Sequence, residues 1–159
     1  MHRRPSFRFL LTIFVPAVLG VALAADHDDQ GKTEAQKARH HHYEELGDAF
    51  KAVRDNTRGD SPDWAKLEKA AQTIVDDTVN QQQWFAKGTG PESGKTRALP
   101  EIWSKPDDFT AAQKMFSDRA PKLLAAVKTK DLAGTQAAFK DVGGACKNCH
   151  DNFRAPEDK

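Results

Sequence analysis

The 159-residue chain has little net charge, little sulfur and little apolar sequence in long runs. Its 24 Lys and Arg stand against 23 Asp and Glu, a formal +1. So balanced a chain carries no electrostatic footprint for nucleic acid. Two cysteines are too few for a disulfide-dense scaffold. No segment alternates polar and apolar residues for long enough to read as a strand. Beyond the first 25 residues no stretch is apolar enough to span a membrane. At 30% charged and 38% hydrophobic residues, the length suits one globular domain with at most a tail.

The apolar sequence that is present is concentrated at the start. Arg3, Arg4 and Arg8 precede a run from Phe9 to Ala25, broken only by Thr12, Pro16 and Gly20, which ends in small residues, Ala22-Leu23-Ala24 and Ala25. A basic lead, an apolar middle and a small-residue cut site make a secretory signal. A membrane anchor would need about 20 apolar residues, and this run is shorter and holds Pro16. The expectation is a signal over 1–24, a mature domain over 25–159, and a periplasmic, soluble product. Removal of three Arg and no acid leaves a formal −2 on the mature chain.

The remainder reads as four helices. Thr33 and Gln36 form a capping-box pattern ahead of the stripe Ala35, Arg39/His42, Tyr43, Leu46, Phe50 and Val53. Ser61 as N-cap and Pro62 as the first helical residue open a second helix, with Trp64, Leu67, Ala71, Ile74, Thr78, Gln81 and Phe85 inward. Gly88, Gly90, Pro91, Gly94, Pro100 and Pro106 make 87–107 a long connector. It lacks the Lys-Ser/Thr ending of a phosphate-binding loop. A third helix over about 108–128 carries Phe109, Ala112, Phe116, Ala120, Leu123 and Val127, with a kink expected at Ser117–Pro121. A fourth starts at Asp131 and carries Leu132, Thr135, Phe139, Val142, Cys146, His150 and Phe153. The fold class is therefore all-α, an antiparallel four-helix bundle.

The sharpest chemical signal is Cys146-Lys147-Asn148-Cys149-His150. Residues spaced by three and four share one helical face, so both thiols and the imidazole point the same way. Two thiols that add to haem vinyl groups, followed by a His that binds the iron, are the c-type attachment pattern. The rivals are weaker. A redox dithiol calls for a strand-to-helix context that is missing, zinc calls for a second ligand pair, and a plain disulfide leaves His150 without a purpose. The cofactor reading is one covalent haem c, with His150 as the metal ligand.

A Cys-x-x-Cys-His late in an exported four-helix chain resembles the cytochrome c′ family, the class II c-type cytochromes. Three segments carry the likeness: Arg39-His40-His41-His42-Tyr43-Glu44-Glu45-Leu46-Gly47, with His40 where the family usually has Gln; Pro100-Glu101-Ile102-Trp103; and Val142 through Arg154. The resemblance implies that Tyr43 lies over the distal haem face. It implies that Arg39 pairs with a haem propionate, with His40 sharing that role, and that Arg154 lies on the proximal side. Each has a plainer alternative: Tyr43 as a core aromatic, Arg39 and Arg154 as surface charges. With Tyr43 rather than Met at the distal position, the resemblance implies a five-coordinate, mainly high-spin iron that binds NO or CO, transfers single electrons, or does both. The alternative is a six-coordinate, low-spin electron carrier of the c-556 type. No acid–base pair is evident at the distal side, so the chain is not read as an enzyme. The resemblance also implies a homodimer, and the redox partner protein is not specified.

Three consecutive histidines, His40 to His42, project about 100° apart on a helix and cannot chelate one ion together. The remaining rival is His42 as a sixth haem ligand. Met115, the one Met left after processing, reads as packing, and Trp64, Trp84 and Trp103 as core or haem-flanking residues. Intact mass spectrometry of the exported protein is expected to give residues 25–159, or 26–159, plus one haem. A mass equal to the bare polypeptide, or an N-terminus at Met1, would refute the corresponding half of this reading.

Overall fold

A computed structural model describes residue 29 and residues 31–156. The expected signal, 1–24, lies outside the described residues. Helix α1 spans Glu34–Asn56. Both halves of its capping box form: the Gln36 N–H donates to Thr33 Oγ1 at 3.3 Å, and the Thr33 N–H donates to Gln36 Oε1 at 2.9 Å. Its inward face is Gln36, Arg39, Leu46, Ala49 and Val53. Ala35, expected inside, is exposed. The N-terminal half of α1 faces a polar loop rather than another helix, so polar side chains take the inward positions there.

Helix α2 spans Trp64–Asp76, which corrects the sequence expectation at both ends. The N-cap is Asp63, not Ser61, and its Oδ1 accepts from the Lys66 N–H at 3.0 Å. A carboxylate at that position satisfies an orphan amide and meets the positive end of the helix dipole. At the other end α2 stops at Asp76, nine residues before Phe85, the last residue of the expected stripe, and the chain resumes as a 3₁₀ turn over Gln81–Phe85. The Thr78 hydroxyl donates to the Val75 carbonyl at 2.7 Å. Such local side-chain bonds compete with helix continuation.

The long connector is not structureless. Pro100 leads into a short helix, α3, Glu101–Ser104. Helix α4, Pro106–Lys128, starts two residues earlier than expected, with Pro106 in its first turn and Asp107 and Asp108 beside it. Every residue of its expected apolar stripe is buried, and Gln113 is buried with them. α4 continues through Pro121, which is exposed. Proline lacks the N–H that would bond the Ser117 carbonyl, and that carbonyl belongs to a half-exposed residue. Helix α5, Leu132–Phe153, starts at Asp131, whose backbone carbonyl accepts from the Thr135 N–H at 2.8 Å while its side chain makes no capping bond.

The four long helices make the bundle. α4 packs chiefly on α5, α1 on α2, and α2 on α4. The main core joins Leu46 and Val53 of α1, Leu67, Ala71 and Ile74 of α2, Phe116, Leu123 and Val127 of α4, and Val142 and Ala145 of α5. A second, smaller cluster, Ile102, Phe109, Ala112 and Phe153, lies where α3, α4 and the end of α5 meet. Among the described residues, extended pairing is confined to one bridge between Ala98 and Arg154. It ties the connector to the end of α5 through Leu99 N–H to Phe153 O and Ala155 N–H to Arg97 O. No helix among the described residues is long and apolar enough to cross a membrane. Pro121→Ala is expected to raise unfolding stability by about 2 kcal/mol, because an exposed helix-interior proline costs about 3 and part of that is returned by a freer unfolded chain. Chemical denaturation checks it, and an unchanged or lowered midpoint would show that the proline conformation supports α4.

Candidate functional site

The site is built on the last turns of α5. Cys146 and Cys149 are half-buried free thiols three residues apart. Cys146 packs against the main core and Cys149 against the second cluster, so the pair straddles the seam between them. Burial raises the Cys146 thiol pKa. Burial, and then the neighbouring Cys146, push Cys149 up to about 11. Both thiols also sit near the C-terminal end of a helix, where the carbonyl dipoles oppose a thiolate. Redox dithiols need the reverse environment, an electropositive one that favours the thiolate. The redox reading therefore loses its physical basis, and two inward-facing, protonated thiols suit a fixed covalent anchor.

His150, one residue further on, is exposed. The Arg154 Nη1 lies 3.4 Å from its Nε2 and 3.5 Å from its Nδ1. Partial desolvation, and then the positive charges of Arg154 and Arg97, hold the His150 pKa below its ordinary value. A neutral imidazole with a free lone pair is the form that binds metal. Arg154 thus sits beside His150 as the family resemblance implied, while Arg97 is anchored separately, its Nε and Nη2 donating to the Ala155 carbonyl.

Tyr43 of α1 reaches the same region from across the bundle. Its ring meets Trp84 edge-on at 5.3 Å and Phe85 at 6.2 Å. Burial raises its pKa first, followed by the nearby Cys149; Arg39 and a hydrogen bond with Gln81 oppose the shift without reversing it. The phenol is neutral at physiological pH. The structure thereby brings together Tyr43 with both cysteines of the haem motif, residues a hundred positions apart in sequence.

Arg39 is different from its sequence expectation. It is 5% exposed, and its Nη1 donates to Trp84 O and Thr89 Oγ1 while its Nη2 donates to Thr89 O and Thr96 Oγ1. Those four bonds take all four Nη protons, and the guanidinium carbon lies 4.8 Å above the Phe85 ring. Arg39 therefore clamps the connector, and the plainer expectation of a surface charge does not hold. Gln36 acts with it, its Nε2 donating to Gly90 O at 2.9 Å. A Cβ at Gly94 would fall 2.7 Å from the Gly31 carbonyl and 2.5 Å from Gln36 Oε1, so this close approach requires glycine. Sequence reasoning gave Gln36 only a capping role and Gln81 only a place in the second stripe, and passed over Thr89 and Thr96; buried polar residues at the polar end of a stripe were the available signal.

The three histidines diverge. His40 Nε2 lies 3.4 Å from Glu44 Oε1, and His41 Nδ1 lies 3.0 Å from Glu44 Oε2. His42 stacks flat on Trp84 at 4.4 Å and 2°. Neither the propionate role for His40 nor the sixth-ligand role for His42 is favoured by these contacts. Met115 packs on the main core. Trp64 packs there too, and the Trp103 Nε1–H donates to Phe85 O at 3.1 Å.

Next to the second cluster is a cavity of about 470 Å³ whose walls include Phe85, Ile102, Trp103, Phe109 and Gln113. Both amide atoms of Gln113 are buried without a hydrogen-bond partner, an unusual cost for a native core. Phe85 touches Tyr43, and Ile102 and Phe109 belong to the cluster against which Cys149 packs. Gln82, Lys87, Pro106 and Thr110 complete the walls, while Cys146, Cys149, His150 and Tyr43 lie outside them; the two protonated thiols and the neutral imidazole on one face of α5 are the groups that fit a covalently held macrocycle.

Comparison with known proteins agrees. The cytochrome c′ family profile matches residues 34–154. The cytochrome c′ of Alcaligenes xylosoxydans xylosoxydans is 41% identical over 97 residues, which are 61% of this chain and 74% of that protein. Two solved structures of variant cytochromes c′ from Alcaligenes xylosoxidans are also similar. One is a nitric oxide complex, with TM-score 0.70, 31% identity, and 77% of this chain and 94% of that one covered. The other has carbon monoxide bound, with TM-score 0.69, 32% identity and the same coverage.

Arg39→Lys separates the two roles considered for that residue. Lysine keeps the charge but cannot span Trp84, Thr89 and Thr96 at once. The expected result is a loss of about 1–3 kcal/mol and faster amide exchange across 87–97, read by hydrogen exchange. Exchange and stability at wild-type levels would return Arg39 to a purely electrostatic role.

Proposed function

We propose, from the premise that this chain belongs to the cytochrome c′ family, that it is an exported gas-binding haem protein in which Cys146 and Cys149 hold the haem, His150 takes the proximal position and Tyr43 covers the distal side. Members of the family carry covalently bound haem c. When bound, the haem supplies an iron that takes up small diatomic ligands and exchanges single electrons. The rest of the function falls to the side chains.

The observation that carries the reading is that a half-buried, neutral Tyr43 and Cys146 pack on the same core cluster, close enough for both thiols to act on the phenol. A neutral phenol is a poor ligand for ferrous iron, so Tyr43 fills space without closing the coordination sphere. Its ring is held edge-on by Trp84 and backed by Phe85, so any ligand approaching from that side must displace an aromatic side chain. The surrounding apolar walls exclude water. With few polar groups on that side, bound dioxygen gains little stabilisation, whereas NO and CO need less. Gln81 hydrogen-bonds to the Tyr43 oxygen, which helps to fix the ring in place.

On the opposite side His150 offers a neutral imidazole, and Arg154 lies against its ring. Arg154 orients the imidazole, and its charge adds to partial desolvation in lowering the His150 pKa. Variants of the Alcaligenes xylosoxidans cytochrome c′ have been solved with NO and with CO bound, which supports the gas-binding reading over a sealed six-coordinate carrier. Met115 of α4 packs on the main core, as its position in the sequence implied. Single-electron exchange remains compatible with the same architecture.

The ferrous absorption spectrum is expected to be high-spin and to change on addition of NO. Tyr43→Met should move the spectrum toward low-spin by placing a thioether over the iron. Tyr43→Ala should accelerate CO binding at least tenfold by removing the side chain that must be displaced. A wild-type protein fully low-spin at neutral pH would overturn the five-coordinate reading, and an unchanged CO rate in Tyr43→Ala would remove Tyr43 as the gate.

A further inference from the structure

We propose that His42, Glu45 and Asp77 form a binding site for one divalent first-row transition ion of the zinc class, on the outside of the α1–α2 pair and separate from the haem motif. His42 and Glu45 are three apart on α1 and share a face. Asp77 is the C-cap of α2. One ligand atom from each, an imidazole nitrogen and two carboxylate oxygens, lies within 4.8 Å of the others. Zinc ligands at about 2.0–2.2 Å from the ion stand about 3–4 Å apart, so modest side-chain rotation closes the set.

Two further observations point to a cation. The first is Asp77, whose Oδ2 is buried with no hydrogen-bond partner. Its carboxyl is pushed above the usual range by burial first, then by the negative charge of Glu45, with His42 pulling the other way and Asp76 adding to the rise. A carboxylate at the C-terminal end of α2 also meets the negative end of that helix dipole. Among the described residues no Lys or Arg forms an ion pair with Glu45 or Asp77. The site therefore gathers negative charge that the polypeptide leaves uncompensated, and a divalent ion relieves all of these repulsions together.

The second observation is the orientation of His42. Its ring lies flat on Trp84, 4.4 Å between centroids and 2° between planes. The stack fixes the imidazole plane before any ion arrives, as an outer-shell contact does in known metal sites. One imidazole with two carboxylates suits zinc, copper or nickel rather than magnesium or calcium, which favour all-oxygen sets. Three protein ligands leave the remaining positions to water, so the ion is exchangeable. This inference does not depend on how the haem iron is coordinated.

The test is Zn²⁺ binding to the exported protein, followed by isothermal titration calorimetry and by equilibrium dialysis with metal analysis. The expected result is one Zn²⁺ per chain, bound at least tenfold more weakly by His42→Phe and by Asp77→Asn, and unchanged in His41→Ala. His42→Phe keeps an aromatic ring on Trp84 while removing the ligand nitrogen. Asp77→Asn removes charge without touching that stack, so a folding failure of the first variant leaves the second decisive. No binding by the wild type, equal binding by Asp77→Asn, or a loss confined to His41→Ala would each overturn the assignment, the last by moving the ion to His41, Asp29 and Glu44.

Discussion

Two half-buried thiols side by side at the seam of two apolar clusters set the terms for everything around them. Cys146 leans on the main core and Cys149 on the smaller cluster of Ile102, Phe109, Ala112 and Phe153. That placement needs α5 to be packed firmly along α4, since Phe109 and Phe153 meet edge-on at 5.1 Å at the outer end of the seam. It also needs a wall opposite, which Tyr43, Trp84 and Phe85 supply from α1 and the 3₁₀ turn. Desolvation of the seam raises the pKa of both thiols. The same desolvation raises that of the Tyr43 phenol. One property of the interior, its exclusion of water, thus moves three separate side chains further from ionisation.

The connector between α2 and α4 explains how a bundle with an irregular edge can shape such a wall. Its 3₁₀ turn carries Trp84 and Phe85, and its later part carries Trp103, whose indole N–H returns to the Phe85 carbonyl. Left to itself, a connector of this length would vary in shape. Arg39 and Gln36 hold it with buried hydrogen bonds to Thr89, Gly90 and Thr96. The inward face of α1 is polar over its first turns and apolar beyond Tyr43 because it faces two different surfaces: a backbone loop with unpaired carbonyls, then other helices. At the far end the Ala98–Arg154 bridge fastens the connector to α5, close to His150.

Much of this was legible in the sequence, and the limits have physical causes. The α4 stripe was legible because it is an uninterrupted apolar series at helical spacing, and all of it is buried. The Thr33–Gln36 capping box was legible because its chemistry is local. Asp63 was passed over for Ser61 because several capping residues compete within three positions, and only the chain's path decides among them. The early end of α2 was hidden because Thr78, Gln81 and Phe85 continue the helical spacing while the backbone does not. The Cys-x-x-Cys-His motif announced the chemistry by itself. Tyr43's relation to it came only through resemblance to a family, and the structure brings the phenol within electrostatic reach of both thiols. Arg39 was the furthest from expectation: a lone arginine on a helix says that it will find acceptors, and nothing in the sequence says that they are carbonyls and hydroxyls of a loop about fifty residues away.

That distance bears on how the chain assembles. α4 and α5 are joined by Thr129, Lys130 and Asp131 alone, so their pairing closes almost no loop. The bonds from Arg39 span 45 to 57 residues, and the entropy of closing a loop rises with its length. Local contacts form early and distant ones late. The helical hairpin that displays both cysteines is therefore favoured to form before the clamp that fixes the wall opposite. During that interval the thiols stand on an ordered helix with one side still open, which is the geometry a bulky planar group needs to reach them.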